Sequence, residues 1–235
     1  MNDLLCWHSK FKYCDYSEKL LKKLSLINIK AAHKVNLLEI KKAIYYARKY
    51  HGSQTRQTGE LYYSHPLAVA EMVADYCFKT DILVTSILHD VIEDTVLTKK
   101  MIENIFDSNI AAQVDALTRV QPDRTFSIPE SIDLLWSQNK IELLVIKLFD
   151  RLHNIQTIHG KSPEKILTTI EETFKNFISL CIYLKATMPE LLKIYKIMLS
   201  LCYKQLPISQ PLRFGLIKTN FEDNFQFPFP VFQND

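Results

Sequence analysis

Four ionisable residues lie close together at the end of an apolar stretch: His89, Asp90, Glu93 and Asp94. Residues 82–88 before them are apolar enough to form a buried helix. On one continuous helix, Glu93 lies four residues after His89 and the next acid lies four after Asp90, so each pair shares one side. Three carboxylates beside a histidine are costly to bury unless positive charge lies among them. The pattern therefore predicts a site for a divalent metal ion.

A second apolar stretch, residues 141–149, also ends in polar side chains. Four of them follow at the spacing of one helix face: Asp150, His153, Asn154 and Thr157. A helix end that faces water would carry the same stripe, and a single buried histidine is more often a core residue than a metal ligand. The combination of both stretches with a further histidine, His65, favours a functional site.

Two imidazoles and two carboxylates from three predicted helices provide the candidate metal ligands. They are His65, His89, Asp90 and Asp150. Mixed nitrogen and oxygen ligands of this kind suit Mn²⁺, Fe²⁺ or Zn²⁺ and leave positions open for water and a phosphate oxygen. Glu93 and Asp94 would then orient or deprotonate the water.

The composition is that of an ordinary globular protein. Of 235 residues, 47% are hydrophobic and 23% charged, and the formal net charge of +3 is too small to argue for nucleic acid. The five cysteines form no CxxC pair, so free thiols are a better interpretation than a zinc finger or a disulfide framework. No secretory signal opens the chain, and no stretch approaches the roughly 20 apolar residues of a membrane span. We therefore expect a cytoplasmic protein that binds neither nucleic acid nor membrane.

Apolar residues recur at helical spacing along most of the chain. Residues 37–47 form one such stripe, and Gly52 indicates that this helix has ended by there. No strand alternation is found, so the predicted fold class is all-α. The predicted organisation is an N-terminal extension over residues 1–34, a main domain over 35–205 and an irregular C-terminal tail over 206–235.

Four longer motifs resemble the hydrolase domain of RelA/SpoT proteins, which are HD-domain metal phosphohydrolases. The order His…His-Asp…Asp is the HD signature. The motifs are His51-x-x-Gln54-x-Arg56-x-x-Gly59-Glu60, Tyr62-x-x-His65-Pro66-Leu67-Ala68-Val69-Ala70, Leu88-His-Asp-Val-Ile-Glu-Asp-Thr95 and Ile146-Lys-Leu-x-Asp-Arg-Leu-His-Asn154. The resemblance covers roughly residues 37–201. It implies an HD-domain bundle of α-helices with a metal site between helices.

RelA/SpoT proteins make and destroy the alarmones guanosine tetra- and pentaphosphate, which drive the stringent response. The hydrolase domain removes the 3′-pyrophosphate and leaves GDP or GTP. The resemblance implies one Mn²⁺ on the four candidate ligands, with Glu93 and Asp94 as the acid/base and water-positioning pair. It also implies nucleotide contacts from Arg56, Thr58, Asn154 and Thr157, with the Arg56 guanidinium on the guanine face. His153 is expected to support the site without binding metal.

Two departures from the family pattern bear on the substrate. Gln57 stands where many relatives carry lysine, and Gln156 stands where an arginine is frequent. Two alternatives therefore stay open: hydrolysis of another phosphorylated nucleotide such as NADPH, and a catalytically silent nucleotide-binding module. The sequence leaves the physiological metal and the oligomeric state undetermined.

Overall fold

A computed structural model describes residues 3–121, 123–184 and 187–205. The chain divides into two compact units, Met1–Gly160 and Lys161–Asp235. This boundary lies inside the range 35–205, and the division into extension, domain and tail stays a prediction. The tail expected over residues 206–235 lies outside the described residues.

The first unit is built almost entirely from helices. They are α1 (Asp3–Lys10), α2 (Asp15–Lys30), α3 (Leu37–His51), α4 (Ser64–Val73), α5 (Thr80–Leu88), α6 (Val91–Asp94), α7 (Lys99–Ile105), α8 (Ser108–Leu117), α9 (Ile128–Ser137) and α10 (Ile141–Gln156). Strands β1 (Val120–Gln121) and β2 (Arg124–Thr125) form a small antiparallel hairpin between α8 and α9. A 3-10 turn, Ile158–Gly160, follows α10.

Helices α4, α5 and α10 carry the side chains predicted to bind metal, or lead directly into them. Helix α4 packs against both α5 and α10, and α5 also packs against α3 and α8. Leu67, Ile87 and Phe149 are among the fully buried side chains of these helices. Because burial of each such side chain stabilises by about 1.5–3 kcal/mol, the apolar faces hold the three helices in place. Helix α2 packs against α3 and α4, so much of the range 1–34 belongs to the same packing.

The helix predicted from residue 82 to residue 94 is not continuous, which corrects the expectation from the sequence. Helix α5 ends before His89, and a turn at His89 and Asp90 separates it from α6. The Nδ1 atom of His89 donates to the Ser86 carbonyl oxygen at 2.7 Å, the oxygen that the Asp90 amide would reach in an uninterrupted helix. The Asp94 amide still donates to the Asp90 carbonyl oxygen at 2.9 Å. These two acids therefore remain one helical turn apart.

The segment between α3 and α4 is a compact hairpin. Thr55 and Leu61 form an antiparallel bridge, and the Arg56 amide donates to the Glu60 carbonyl oxygen at 2.8 Å. Gly59 closes the turn with a φ of +86°, a left-handed conformation that glycine adopts without a steric penalty. The hairpin therefore holds Arg56 and its neighbours in a defined position at the end of α3.

The second unit continues the helical pattern. It contains α11 (Pro163–Glu172), a π-helical segment (Thr173–Ile178), α12 (Ser179–Leu184), a 3-10 turn (Pro189–Leu191) and α13 (Leu192–Gln205). Pro163 occupies the first turn of α11, where its missing amide costs no hydrogen bond. The all-α prediction is confirmed. Among the described helices, none is long and apolar enough to cross a membrane.

Candidate metal centre

The structure brings the four predicted metal ligands together in the first unit. The Nε2 atom of His65 lies 3.0 Å from Asp150 Oδ1 and 3.6 Å from Asp90 Oδ2. The Nε2 atom of His89 lies 3.1 Å from Asp90 Oδ1 and 3.8 Å from Asp150 Oδ1. Ligand atoms of His65, His89 and Asp150 lie within 4.8 Å of one another. Two ring nitrogens and carboxylate oxygens from both acids therefore converge on one point.

The orientation of the His89 ring fits metal binding. Its Nδ1 atom donates to the Ser86 carbonyl oxygen at 2.7 Å, so the lone pair of the neutral ring is on Nε2. This Nε2 atom is buried and has no partner in hydrogen-bond geometry among the described residues. A hydrogen bond from the other ring nitrogen to a carbonyl is the usual way that a metal-binding imidazole is held.

His65 is held in a comparable way by a neighbouring histidine. Its Nδ1 atom lies 2.8 Å from the Nδ1 atom of His153. Burial, together with the positive charge of His65 and Arg56, lowers the pKa of His153 to about 3. The His153 ring is therefore neutral and accepts a hydrogen bond from His65 Nδ1, which turns the Nε2 atom of His65 toward the carboxylates.

The electrostatics of the cluster favour positive charge at its centre. Burial alone would lower the pKa of His89, but the carboxylates of Asp90 and Asp150 raise it well above its usual value. Burial alone would raise the pKa of Asp150, but its contacts with His65 and His89 hold it well below the usual range. Both acids are therefore ionised beside two imidazoles. This donor set fits a divalent cation.

The two acids predicted to act on water lie beside the cluster. Asp94 is exposed and its Oδ2 atom accepts a hydrogen bond of 2.6 Å from the Tyr62 hydroxyl. Burial and the charge of Asp90 raise the pKa of Asp94, although the bond from Tyr62 opposes this. Glu93 is half-buried and accepts a hydrogen bond from the backbone amide of Arg119. Both acids line the same cavity as the metal ligands.

This cavity has a volume of about 240 Å³ and a strongly polar wall. Its lining includes Tyr62 and Lys147, which the sequence did not single out as functional. Burial lowers the pKa of Lys147, and its ammonium group donates to the Leu117 carbonyl oxygen at 3.2 Å. A single lysine within the apolar run 141–149 was the available signal for it. Nothing in the sequence indicated a role for the Tyr62 hydroxyl, because its direction depends on the fold of the hairpin.

Three of the four side chains predicted to contact a nucleotide bond to one another. The Arg56 guanidinium donates to Asn154 Oδ1 at 2.9 Å and to Thr157 Oγ1 at 3.2 Å. Asn154 also donates from Nδ2 to Asp150 Oδ1 at 2.7 Å. Asn154 therefore links this group directly to a candidate metal ligand.

Thr58, the fourth of these side chains, lies on the hairpin close to the end of α10. A Cβ atom added at Gly160 would lie 3.3 Å from the Thr58 backbone nitrogen, so the 3-10 turn packs tightly on the hairpin. The Oγ1 atom of Thr58 and one terminal nitrogen of Arg56 are buried and have no hydrogen-bond partner among the described residues. Buried polar atoms usually have partners, so these two atoms leave hydrogen-bonding capacity unused beside the site.

The chain belongs to the HD-domain family, because the family model described as "HD domain" matches residues 43–181. This range contains all of the predicted site residues. The matched range begins within α3 and ends within α12, so it takes in residues of both units.

Curated relatives connect the chain to the RelA/SpoT proteins. The GTP pyrophosphokinase rsh of Brucella ovis is 35% identical over 145 residues, which are 59% of this chain and 19% of that protein. The GTP pyrophosphokinase of Myxococcus xanthus is 34% identical over 146 residues, with 57% and 19% covered. A probable guanosine-3′,5′-bis(diphosphate) 3′-pyrophosphohydrolase of Synechocystis is 33% identical over 138 residues, with 56% and 18% covered. The predicted resemblance is confirmed, and the match spans about a fifth of each relative.

One solved structure is described as "A metazoan ortholog of SpoT hydrolyzes ppGpp and plays a role in starvation responses". It is 17% identical to this chain, with a TM-score of 0.48, and the alignment covers 81% of this chain and 98% of that one. Likeness at this level carries no argument about the activity of this chain.

Proposed function

We propose that this chain hydrolyses guanosine 3′,5′-bis(diphosphate) and its pentaphosphate counterpart to GDP or GTP and pyrophosphate, with Mn²⁺ as the cofactor. The observation that carries the proposal is the convergence of His65, His89, Asp90 and Asp150 beside two further carboxylates in one polar cavity. HD-domain membership and the relative named as a pyrophosphohydrolase support the same activity.

The proposed reaction is attack of water on the phosphorus bonded to the 3′-oxygen. The bond between that phosphorus and the 3′-oxygen breaks, pyrophosphate is released, and the 3′-oxygen takes up a proton to become the 3′-hydroxyl of GDP or GTP. A divalent ion on the four ligands would supply Lewis acidity, which polarises a phosphoryl oxygen and lowers the pKa of water. The Asp94 carboxylate takes a proton from the attacking water, since its raised pKa brings it closer to neutral pH than an ordinary aspartate. Glu93, held by the Arg119 amide, orients the water from the other side of the cavity.

The nucleotide is proposed to lie against Arg56, beyond the metal ligands. The Arg56 guanidinium is planar and can stack on the guanine ring, and its buried unpaired nitrogen offers a donor. Asn154 and Thr157, which hold this guanidinium, lie on the same end of α10 as Asp150. The Lys147 ammonium in the cavity wall supplies positive charge for the phosphate groups.

Hydrolysis is proposed over synthesis even though some relatives are named pyrophosphokinases. Apart from Asn154, the predicted side chains that line the cavity were predicted to bind metal or to act on water, which are the requirements of a phosphohydrolase. A cytoplasmic location is part of the same proposal and is supported by five free cysteines.

The test is release of pyrophosphate from guanosine tetraphosphate by the purified chain, with and without Mn²⁺. We expect turnover with Mn²⁺, little after metal removal, and none from Asp90→Asn with full-length folded protein. Asp133→Asn is the matched control, because Asp133 is exposed on α9, away from the cavity. Absence of turnover by metal-loaded wild type would contradict the proposal.

The alternatives predict different outcomes in the same assay. A hydrolase for another nucleotide would turn over a member of a substrate panel, NADPH included, faster than it turns over the alarmone. A silent module would bind the alarmone tightly by calorimetry and release no product. The exposed position of Gln156, where relatives often carry arginine, makes the panel informative for substrate choice.

A further inference from the structure

His51, Gln54 and Tyr62 form a network around Asp94 that has no role in the proposed reaction as described above. The aromatic ring of Tyr62 stacks on the ring of His51, with centroids 4.8 Å apart and an angle of 23° between the ring planes. His51 is buried, and its Nδ1 atom lies 2.8 Å from the Gln54 Oε1 atom. Gln54 in turn donates from Nε2 to the backbone carbonyl oxygen of Asp94 at 2.8 Å.

The hydroxyl of Tyr62 completes the network at the Asp94 side chain. It lies 2.6 Å from Asp94 Oδ2 and 3.4 Å from Asp90 Oδ2. A hydroxyl group has one proton and can donate one full hydrogen bond, so the Tyr62 hydroxyl donates to Asp94, the nearer of the two acceptors. The hydroxyl lies between a candidate metal ligand and the acid proposed to take the proton from water. It therefore fixes the spacing of these two carboxylates.

Backbone hydrogen bonds of the hairpin fix the positions of Tyr62 and Gln54, the two residues that donate to Asp94. The Tyr62 amide donates to the Gln54 carbonyl oxygen at 2.8 Å, and the Gln54 amide donates to the His51 carbonyl oxygen at 3.0 Å. Both Asp94 contacts, one to its backbone and one to its carboxylate, therefore come from the same rigid segment. An aspartate held at its backbone and at one carboxylate oxygen samples fewer rotamers than one held by the helix alone.

We propose that Tyr62 is a positioning residue for Asp94, and that His51 and Gln54 act through it to hold the Asp94 carboxylate at the metal centre. With Oδ2 engaged by the Tyr62 hydroxyl, Oδ1 is the oxygen left to accept the proton from water. The effect of Tyr62 on catalysis rests on the proposed function. The position of Asp94 against Tyr62 follows from the geometry and does not depend on the substrate.

The first test removes the hydroxyl and keeps the ring. Tyr62→Phe retains the stack on His51 and is expected to lower kcat about tenfold, the effect of losing one hydrogen bond to a charged group. KM should change less than about twofold, because the nucleotide contacts of Arg56 are retained. Tyr63→Phe is the matched control, since the adjacent Tyr63 packs against Tyr16 and Arg48 on the opposite side of the hairpin.

The second test asks whether Gln54 acts through the same carboxylate. Gln54→Ala should lower kcat by a few-fold by itself. In the Tyr62→Phe background it should cost less than it does in wild type, because groups that act on one shared partner are non-additive. Fully multiplicative losses, or equal losses in Tyr63→Phe, would overturn the proposal in favour of a general effect on folding.

A structural readout separates this inference from the proposed function. Crystals of metal-loaded wild type should show the Asp94 carboxylate in one position against Tyr62, and crystals of Tyr62→Phe should show it displaced or in several rotamers. Calorimetric Mn²⁺ affinity should stay within about threefold, because all four candidate ligands remain and the Tyr62 hydroxyl donates to Asp94 and not to one of them. An unmoved Asp94 in the variant overturns the inference whatever the substrate. An inactive wild type would contradict only the proposed function.

Discussion

The candidate metal ligands (the metal group) and the side chains proposed to contact a nucleotide (the nucleotide group) lie next to each other, but their polar atoms are satisfied differently. In the metal group, carboxylates face imidazoles across 3.0–3.8 Å, and the His89 Nε2 atom has no hydrogen-bond partner among the described residues. In the nucleotide group, Arg56 already donates to Asn154 and Thr157. The candidate metal ligands therefore fit a cation at their centre, whereas three of the four side chains of the nucleotide group are already bonded to one another.

This difference separates two kinds of expected defect. Loss of a metal ligand should remove metal binding and all activity that depends on it. Loss of a nucleotide contact should weaken substrate binding and leave the metal in place. Asn154 belongs to both groups, because it bonds to Asp150 and to Arg56. Substitution of Asn154 is therefore expected to affect both metal binding and substrate binding.

The largest effect is expected in the metal group. Asp150→Asn should lower kcat/KM by more than about a hundredfold, since even residues outside the ligand shell of metal sites cost up to that much. It should also abolish stabilisation by Mn²⁺, which at a hundred times its Kd amounts to about 2.7 kcal/mol in wild type. Thermal unfolding with and without Mn²⁺ measures this, and a retained metal-dependent rise in Tm would remove Asp150 from the ligand set.

A different pattern is expected from Arg56→Ala. KM should rise about ten- to a hundredfold, the loss of a charged contact that is worth about 1.5–3 kcal/mol, with a smaller change in kcat. The Mn²⁺-dependent rise in Tm should be the same as in wild type. Arg124→Ala controls for loss of an arginine, because Arg124 is exposed and pairs with Glu130 at the surface. Loss of the metal response in Arg56→Ala would erase the proposed separation between the two groups.

Asn154→Ala should show both defects at lower amplitude. Mn²⁺ affinity and KM should each worsen about tenfold, because Asp150 loses a hydrogen-bond donor and Arg56 loses an acceptor. Calorimetry with Mn²⁺ and steady-state kinetics measure the two effects on one sample. A change in only one of them would assign Asn154 to a single group.

The smallest effect is expected at Gly160. In Gly160→Ala, the new methyl group would meet backbone atoms of Gln57 and Thr58 at 3.3 Å, which displaces the hairpin by a few tenths of an ångström. We expect KM to rise about two- to fivefold, in line with the cost of slight misplacement of a binding group. Mn²⁺ affinity should not change. A change in metal affinity with unchanged KM would show that the turn acts on the metal group instead.

Much of the site was predictable because its residue types are unusual where they occur. Carboxylates and histidines at the ends of apolar stretches indicated His89, Asp90 and Asp150, and helical spacing placed Asn154 and Thr157 on the same face as Asp150. The all-α class followed from the same periodicity. Family membership, which the motifs implied, agrees with the match over residues 43–181.

Other features depended on side-chain contacts that the spacing of apolar residues does not report. The break of the helix at His89 follows from a side chain that takes the Ser86 carbonyl, and periodicity does not report such competition. The contact of Tyr62 with Asp94 joins segments that are separated by thirty-two positions. The division near Gly160 was also not visible in the composition.

By itself, the sequence determined the fold class, the HD-type residues and the chemistry that they can support, because these depend on residue type and local spacing. Only the tertiary structure decided which nitrogen of each histidine faces the carboxylates and which oxygen of Asp94 is engaged. It also decided that Arg56 is already held by α10. The physical reason is that hydrogen-bond direction is set by the packing of helices and the hairpin against one another, and no local pattern encodes that geometry.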